Sequence, residues 1–150
     1  MPFTFSETMA GSFRRVGDGE HERPLSFSLR AESNSLPRFA KDPYVRFSGV
    51  VDAPGLADRR PIEGTLGMDL VRTGKLPYDF RFTGNDGNRY RFVGEKTVSL
   101  RALATSMTDL PGSILDERGR AVATAFVRFD LRRDLVSFLR TWKYRPSILG

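Results

Sequence analysis

Hydrophobic and polar residues alternate along most of this chain with a period of two, the pattern of a half-buried β-strand. The clearest stretch runs from residue 78 to residue 92. Its aromatic residues fall on one face of two successive segments: Tyr78, Phe80, Phe82, Tyr90 and Phe92. Its charged residues fall on the other face: Asp79, Arg81, Arg89 and Arg91. Asp86-Gly87 lies between the segments and predicts a turn, because glycine accepts the positive φ that tight turns require. The sequence therefore predicts a β-hairpin with its rings towards a core.

The same alternation predicts strands before this hairpin. Residues 3–16 and 25–32 form a first hairpin joined by a glycine-rich loop, which contains the single histidine, His21. A third strand begins at Val45. Residues 52–61 then turn the chain into a fourth strand, which begins at Ile62.

The pattern continues after the aromatic hairpin, but less regularly. Residues 93–106 predict a further strand or a bulged extension. Residues 106–113 are unlike an ordinary strand, and we expect Thr108 and Asp109 to cap turns there. Residues 116–119 predict a turn that leads into a last strand over 120–130.

The C-terminal segment has helical rather than strand periodicity. Asp130 is a suitable N-cap, and apolar residues recur at helical spacing after it: Leu131, Leu135, Phe138, Leu139 and Trp142. We therefore predict a helix over residues 131–143. It packs on an alanine-rich strand face (Ala121, Ala123, Ala125), or, with its basic residues, makes a peripheral contact with an anionic membrane.

About nine strands and one helix predict a mainly β protein. The favoured architecture is an antiparallel, lipocalin-like β-barrel or strongly curved sheet, and a flatter sandwich is the alternative. At 150 residues, with no shift in composition, the chain is expected to form a single domain, 1–150, with the helix 131–143 at its end.

Composition excludes several kinds of chemistry. The chain has no cysteine and one histidine, so disulfides, thiolate catalysis and cysteine-based zinc sites are excluded, and we expect neither a metal nor a cofactor. Neither a secretory signal nor an apolar run long enough to span a membrane is evident, which favours a soluble, cytoplasmic protein.

The net charge of +6 comes from 24 basic and 18 acidic residues. Arginines alternate singly with apolar residues, as on a solvated sheet face. A platform for single-stranded nucleic acid carries rings and basic groups on one face, whereas this pattern separates them, so no specific nucleic-acid partner is expected.

Glu7 is out of keeping with its strand, because it falls in phase with the core residues Phe3, Phe5, Met9 and Phe13. A buried carboxylate is unfavourable unless it has partners. Three explanations remain open: a bulge turns Glu7 to solvent, a basic side chain neutralises it, or it is a polar anchor in a ligand cavity, with Lys96 as a partner.

Short phrases in a fixed order carry a resemblance over nearly the whole chain. They are residues 5–11, 62–66, 78–82, 86–87, 94–96, 108–109 and 138–139. In this order they resemble the accessory β-rich module attached to some bacterial cholesterol-oxidase-like members of the glucose/methanol/choline oxidoreductase family. The resemblance implies a role in sterol, lipid or other hydrophobic-substrate metabolism. The flavin-binding glycine fingerprint of those enzymes is absent, so their oxidase activity is not carried over.

The first functional hypothesis is non-catalytic binding of a small hydrophobic, sterol- or lipid-like ligand inside the barrel. Its candidate residues line a cavity or fill a core: Glu7, Phe47, Met68, Tyr78, Phe80, Phe82, Tyr90, Phe92 and Lys96. The second is a module that docks on an oxidoreductase or another enzyme. The third is a cofactor-free isomerase or hydrolase with Glu7 or Asp109 as base.

Overall fold

Eight β-strands make up the part of the chain that the computed structural model describes, which is residues 3–17, 19, 21–33, 44–67, 75–97 and 107–130. The strands are β1 (Phe3–Arg15), β2 (Arg23–Ser33), β3 (Tyr44–Ala53), β4 (Ala57–Gly67), β5 (Lys75–Thr83), β6 (Arg89–Thr97), β7 (Met107–Leu115) and β8 (Ala121–Asp130).

The strands form a closed antiparallel barrel with up-and-down connections. Each strand pairs with the next, and β8 pairs with β1. A row of hydrogen-bonded partners that leaves β1 at Phe5 passes through all eight strands and returns to β1 at Arg15, ten residues further along. For eight strands, this stagger tilts them by about 40° to the barrel axis and leaves an interior that side chains can fill. The predicted barrel is confirmed.

Alternation directs the apolar side chains inward, as the sequence predicts. All five aromatic residues of the β5–β6 hairpin are buried, whereas Arg81, Arg89 and Arg91 are exposed. The alanines of β8 that face the core, Ala123 and Ala125, are buried in the barrel's hydrophobic cluster. In the β5–β6 hairpin, the rings thus point into the barrel and the guanidinium groups point outward.

Glycines in the inward phase make room for the rings. A Cβ atom on Gly112 would lie 2.6 Å from Cζ of Phe92, and one on Gly94 would lie 2.9 Å from Cε1 of the same ring. The Phe92 ring therefore lies directly over Gly94 of its own strand and Gly112 of β7, where no larger residue fits.

Two predicted boundaries were wrong. Residues 57–61, predicted as part of a turn, belong to β4, which begins with a register shift against β3. Residues 107–113, predicted as turn-rich, lie in β7, which pairs with β8 along its whole length. Pro111 lies within this strand. It lies next to Gly112, the last residue of β7 that pairs with β6. A strand tolerates a residue without an N–H group where it has no partner on that side.

The described residues contain eight strands where the sequence predicts about nine. The predicted helix 131–143 and residues 98–106 of the predicted extension lie outside them. Within the described part of the chain, no helix has the length and apolar character that crossing a membrane requires.

The two ends of the barrel differ. At one end, which we call the turn end, short connections of residues 16–22, 54–56, 84–88 and 116–120 join the strands. At the other, which we call the long-connection end, β1, β3, β5 and β7 begin and β2, β4 and β6 end, and the connecting segments 34–43, 68–74 and 98–106 are not described.

Replacing Gly112 with alanine should destabilise the barrel by about 1–3 kcal/mol, because the added methyl group collides with a ring that cannot move in a packed core. The midpoint of urea unfolding measures this loss. Ser113→Ala, one position along β7, is the matched control. Equal stability of the two variants would show that the interior is loosely packed around Phe92.

Candidate ligand-binding site at one end of the barrel

An aromatic layer fills the middle of the barrel. The Phe80 and Phe92 rings stack with their centroids 4.8 Å apart, and the Phe27 ring lies 5.1 Å from Phe80 and 5.6 Å from Phe92. Phe27 is on β2 and Phe92 is on β6, four strands away around a barrel of eight, so these rings meet across the interior. The interior is packed at this level.

Two further candidate residues lie towards the turn end. The rings of Phe82 and Tyr90 stack with centroids 5.7 Å apart. The Tyr90 hydroxyl donates to Oδ2 of Asp86 at 2.6 Å, in the turn that follows β5. Partial burial, and then this bond, raise the pKa of Tyr90, and the same bond lowers the pKa of Asp86. Tyr90, which stacks on Phe82, therefore fixes the hairpin turn to the core.

Three candidates lie on the other side of the aromatic layer, near the long-connection end. Each lies within four residues of the start of its strand: Glu7 on β1, Phe47 on β3 and Tyr78 on β5. The Phe47 ring is 6.4 Å from Tyr78 and 6.2 Å from Phe80, so it joins this end to the middle layer.

Glu7 is held by Tyr78. The Tyr78 hydroxyl donates a short hydrogen bond to Oε1 of Glu7, and the two residues are 2% and 6% exposed respectively. Among the described residues, Glu7 is the only charged one that is buried. Because β1 and β5 lie opposite each other, the bond spans the interior. A hydrogen bond to a charged group in such surroundings offsets part of the free energy lost by burying a carboxylate.

The same contact changes the acidity of the phenol. Burial, and then the negative charge of Glu7, raise the pKa of Tyr78 well above its ordinary value. Tyr78 therefore remains protonated, and a hydrogen-bond donor, throughout the physiological pH range.

The structure brings together some of the candidate residues and leaves others apart. Glu7, Phe47, Tyr78, Phe80, Phe82, Tyr90 and Phe92 all face the interior. Met68 lies outside the described residues. Lys96 pairs with Leu76 in the β5–β6 ladder, but its side chain is not described.

The structure bears on two of the predicted roles, a bulge at Glu7 and a turn cap or catalytic base at Asp109. β1 pairs with β2 without interruption from Phe3 to Phe13, so no bulge turns Glu7 to solvent. Asp109 lies on the outer face of β7, where it accepts a hydrogen bond from Nε of Arg128 at 2.8 Å. It neither caps a turn nor faces the interior.

The partnership of Glu7 and Tyr78 was not predicted. Alternation places each residue inward on its own strand, but 71 positions separate them in sequence. Only the closure of the barrel sets β1 opposite β5. The sequence did show that Glu7 points inward and therefore needs a hydrogen-bond donor. Tyr78 is one of the inward residues that could donate.

No family of known proteins matches the chain, and no curated protein shows significant similarity to it.

Replacing Tyr78 with phenylalanine should destabilise the protein by about 1–3 kcal/mol, because it removes a donor from a buried carboxylate while keeping the ring. Urea unfolding at neutral pH measures this change. Tyr44→Phe, at a tyrosine that is 56% exposed, is the control. If Glu7→Gln in the Tyr78→Phe background recovers none of the loss, the buried charge is not its cause.

Stability should fall as pH rises above about 10, the ordinary pKa of tyrosine. The raised pKa means that folded Tyr78 keeps a proton that the unfolded chain releases, so this contribution is complete below pH 10 and is lost between pH 10 and the folded pKa. Urea midpoints between about pH 8 and 11 measure the slope. The wild type should lose more stability over this range than Tyr78→Phe, and parallel curves would contradict the assignment.

Proposed function

We propose that the barrel binds a small apolar molecule that carries one hydrogen-bonding group, such as the hydroxyl of a sterol- or lipid-like compound. The observation that supports this most directly is the Glu7–Tyr78 pair. A carboxylate and a phenol meet across an interior that is otherwise apolar in the described residues. Ligand sites combine apolar walls with a few polar groups of this kind, which orient the bound molecule.

A purely structural role gives a weaker account of the pair. Replacing buried polar pairs with apolar side chains of similar volume is often neutral or stabilising, so stability alone does not favour a carboxylate here. Recognition of a ligand does favour a carboxylate, because a carboxylate oxygen can accept a hydrogen bond from a ligand hydroxyl. The likeness to an accessory module of sterol-oxidising enzymes points to the same class of ligand.

The aromatic layer limits where the ligand lies. Phe27, Phe80 and Phe92 close the middle of the barrel, so the proposed site occupies the part between this layer and the long-connection end. Phe47 and Leu66, both buried, form walls beside Tyr78. The ligand therefore enters from the long-connection end with its polar group leading.

Dehydroergosterol, a fluorescent sterol with a free hydroxyl, is a suitable probe. We expect saturable binding of the sterol and at least tenfold weaker binding of its acetate ester, which lacks the donor. Glu7→Gln should reduce the preference for the alcohol over the ester, since it removes the negative acceptor. Glu22→Gln, which changes an exposed carboxylate in the β1–β2 loop, should leave that preference unchanged.

Native mass spectrometry of the purified protein provides an independent measurement. A bound mass that is retained by the wild type and reduced in Glu7→Gln would identify the natural ligand. An interior with no bound mass, together with no saturable binding of either sterol, would refute the proposal. Binding that is identical in Glu7→Gln would remove Glu7 from the site.

A further inference from the structure

A groove of about 1080 Å³ crosses the outer wall of the barrel where the β5–β6 hairpin outruns its neighbours. The ladder between β4 and β5 ends at Glu63 and Arg81, and the ladder between β6 and β7 ends at Arg91 and Leu115. The hairpin's own ladder continues for two more pairs, to Thr83 and Arg89. Its last turn therefore stands free of strand pairing on both sides, and the groove follows from that separation.

Asn85 fixes the wall of this groove on the β4 side. Its backbone N–H donates to the Leu56 carbonyl at 2.8 Å, its Nδ2 donates to Asp58 at 2.8 Å, and its Oδ1 accepts from the Asp58 N–H at 2.9 Å. Oδ1 also accepts from Nε of Arg60 at 3.3 Å. The hairpin tip is thus tied to β4 while the strand edges between them stay apart.

A backbone irregularity in β4 lies beside the hydrogen bonds of Asn85. Arg59 has a φ of 49°, in the left-handed region that residues other than glycine seldom adopt. The strand's register against β3 shifts at the same place. Conformations of this kind persist where the surrounding structure holds them, and they concentrate at functional sites.

The groove holds four arginines and three carboxylates, but most of the carboxylates are already engaged. The arginines are Arg60, Arg81, Arg89 and Arg91, and the acids are Glu63, Asp116 and Glu117. Asp116 accepts the backbone N–H groups of Arg118 and Arg120 at 2.9 and 3.0 Å. Glu117 accepts the backbone N–H of Arg89 at 3.2 Å.

The guanidinium groups of Arg81 and Arg89 have no such engagement. Arg91 binds Asp79 through two hydrogen bonds, which also raise the pKa of its guanidinium group. Arg81 lies directly opposite Arg91 in the hairpin ladder, which is an unfavourable arrangement of like charges, and opposite Glu63 in the ladder with β4. Neither the Arg81 nor the Arg89 side chain forms a hydrogen bond or ion pair with a residue in the described ranges.

We propose that this groove binds an oxyanion, a phosphate or a carboxylate group, between Arg81 and Arg89. The two residues occupy diagonal positions on the outer face of the hairpin, about 7–8 Å apart, which two long side chains can bridge through one anion. Arginine's planar fork suits both groups, because each offers two oxygens to paired N–H donors. The groove lies on the opposite face of the strand wall from the Glu7–Tyr78 pair and does not depend on a ligand there.

Titration with inorganic phosphate and with succinate, each at constant ionic strength set with chloride, tests the proposal. NMR signals of backbone amides and arginine Nε–H groups report where each anion binds. We expect saturable shifts confined to residues that line the groove, and a loss of affinity of about tenfold or more in Arg81→Gln and Arg89→Gln. Arg14→Gln removes the same charge from an arginine that is paired with Glu22 outside the groove, and should leave the affinity unchanged.

The two anions distinguish the sources of the oxyanion. Saturation by phosphate alone supports a phosphate-bearing ligand, and saturation by succinate alone supports a carboxylate-bearing ligand. Arg81→Lys keeps the charge but loses the fork, so weaker binding to it confirms recognition by geometry. Shifts that do not saturate, or that are the same in Arg81→Gln and Arg14→Gln, reflect non-specific screening of surface charge and overturn the proposal.

Discussion

Closure of the barrel is the constraint on which the other features depend. Pairing of β8 with β1 leaves no free sheet edge along the paired lengths, and it gives every strand one inward and one outward face. The ten-residue stagger then sets how far opposite walls lie apart, close enough for Phe27 and Phe92 to meet. Because the sheet is closed, the residues that alternate inward on each strand all face one shared interior.

The filled middle divides the interior into two chemically different ends. Towards the turn end, Phe82 and Tyr90 hold the hairpin turn through Asp86, so polar contacts there serve the local structure. Towards the long-connection end, the polar contact between Glu7 and Tyr78 joins opposite walls of the barrel, β1 and β5. The proposed binding site therefore depends on the Glu7–Tyr78 pair rather than on the more numerous rings.

The outer wall shows how a regular barrel acquires an irregular surface. Some exposed arginines are paired with carboxylates across a strand ladder, as Arg91 is with Asp79 and Arg128 with Asp109. Arg81, in the last pair of the β4–β5 ladder, and Arg89, beyond the last pair of the β6–β7 ladder, form no ion pair with a described residue. The groove beside the hairpin therefore carries positive charge that no described side chain neutralises.

The sequence by itself determined which residues alternate inward and outward and where glycine turns fall, and hence a mainly β protein with its rings inside. A barrel was the favoured architecture, but closure of the sheet was not determined by the pattern. These features are local, because a period of two needs only neighbouring residues. Only the tertiary structure decided that Pro111 can stand in a strand and that the Phe27 and Phe92 rings fill the middle. It also decided that Glu7 meets Tyr78. Each of these depends on which strands become neighbours or opposites, and that follows from closing the sheet rather than from any pattern along one strand.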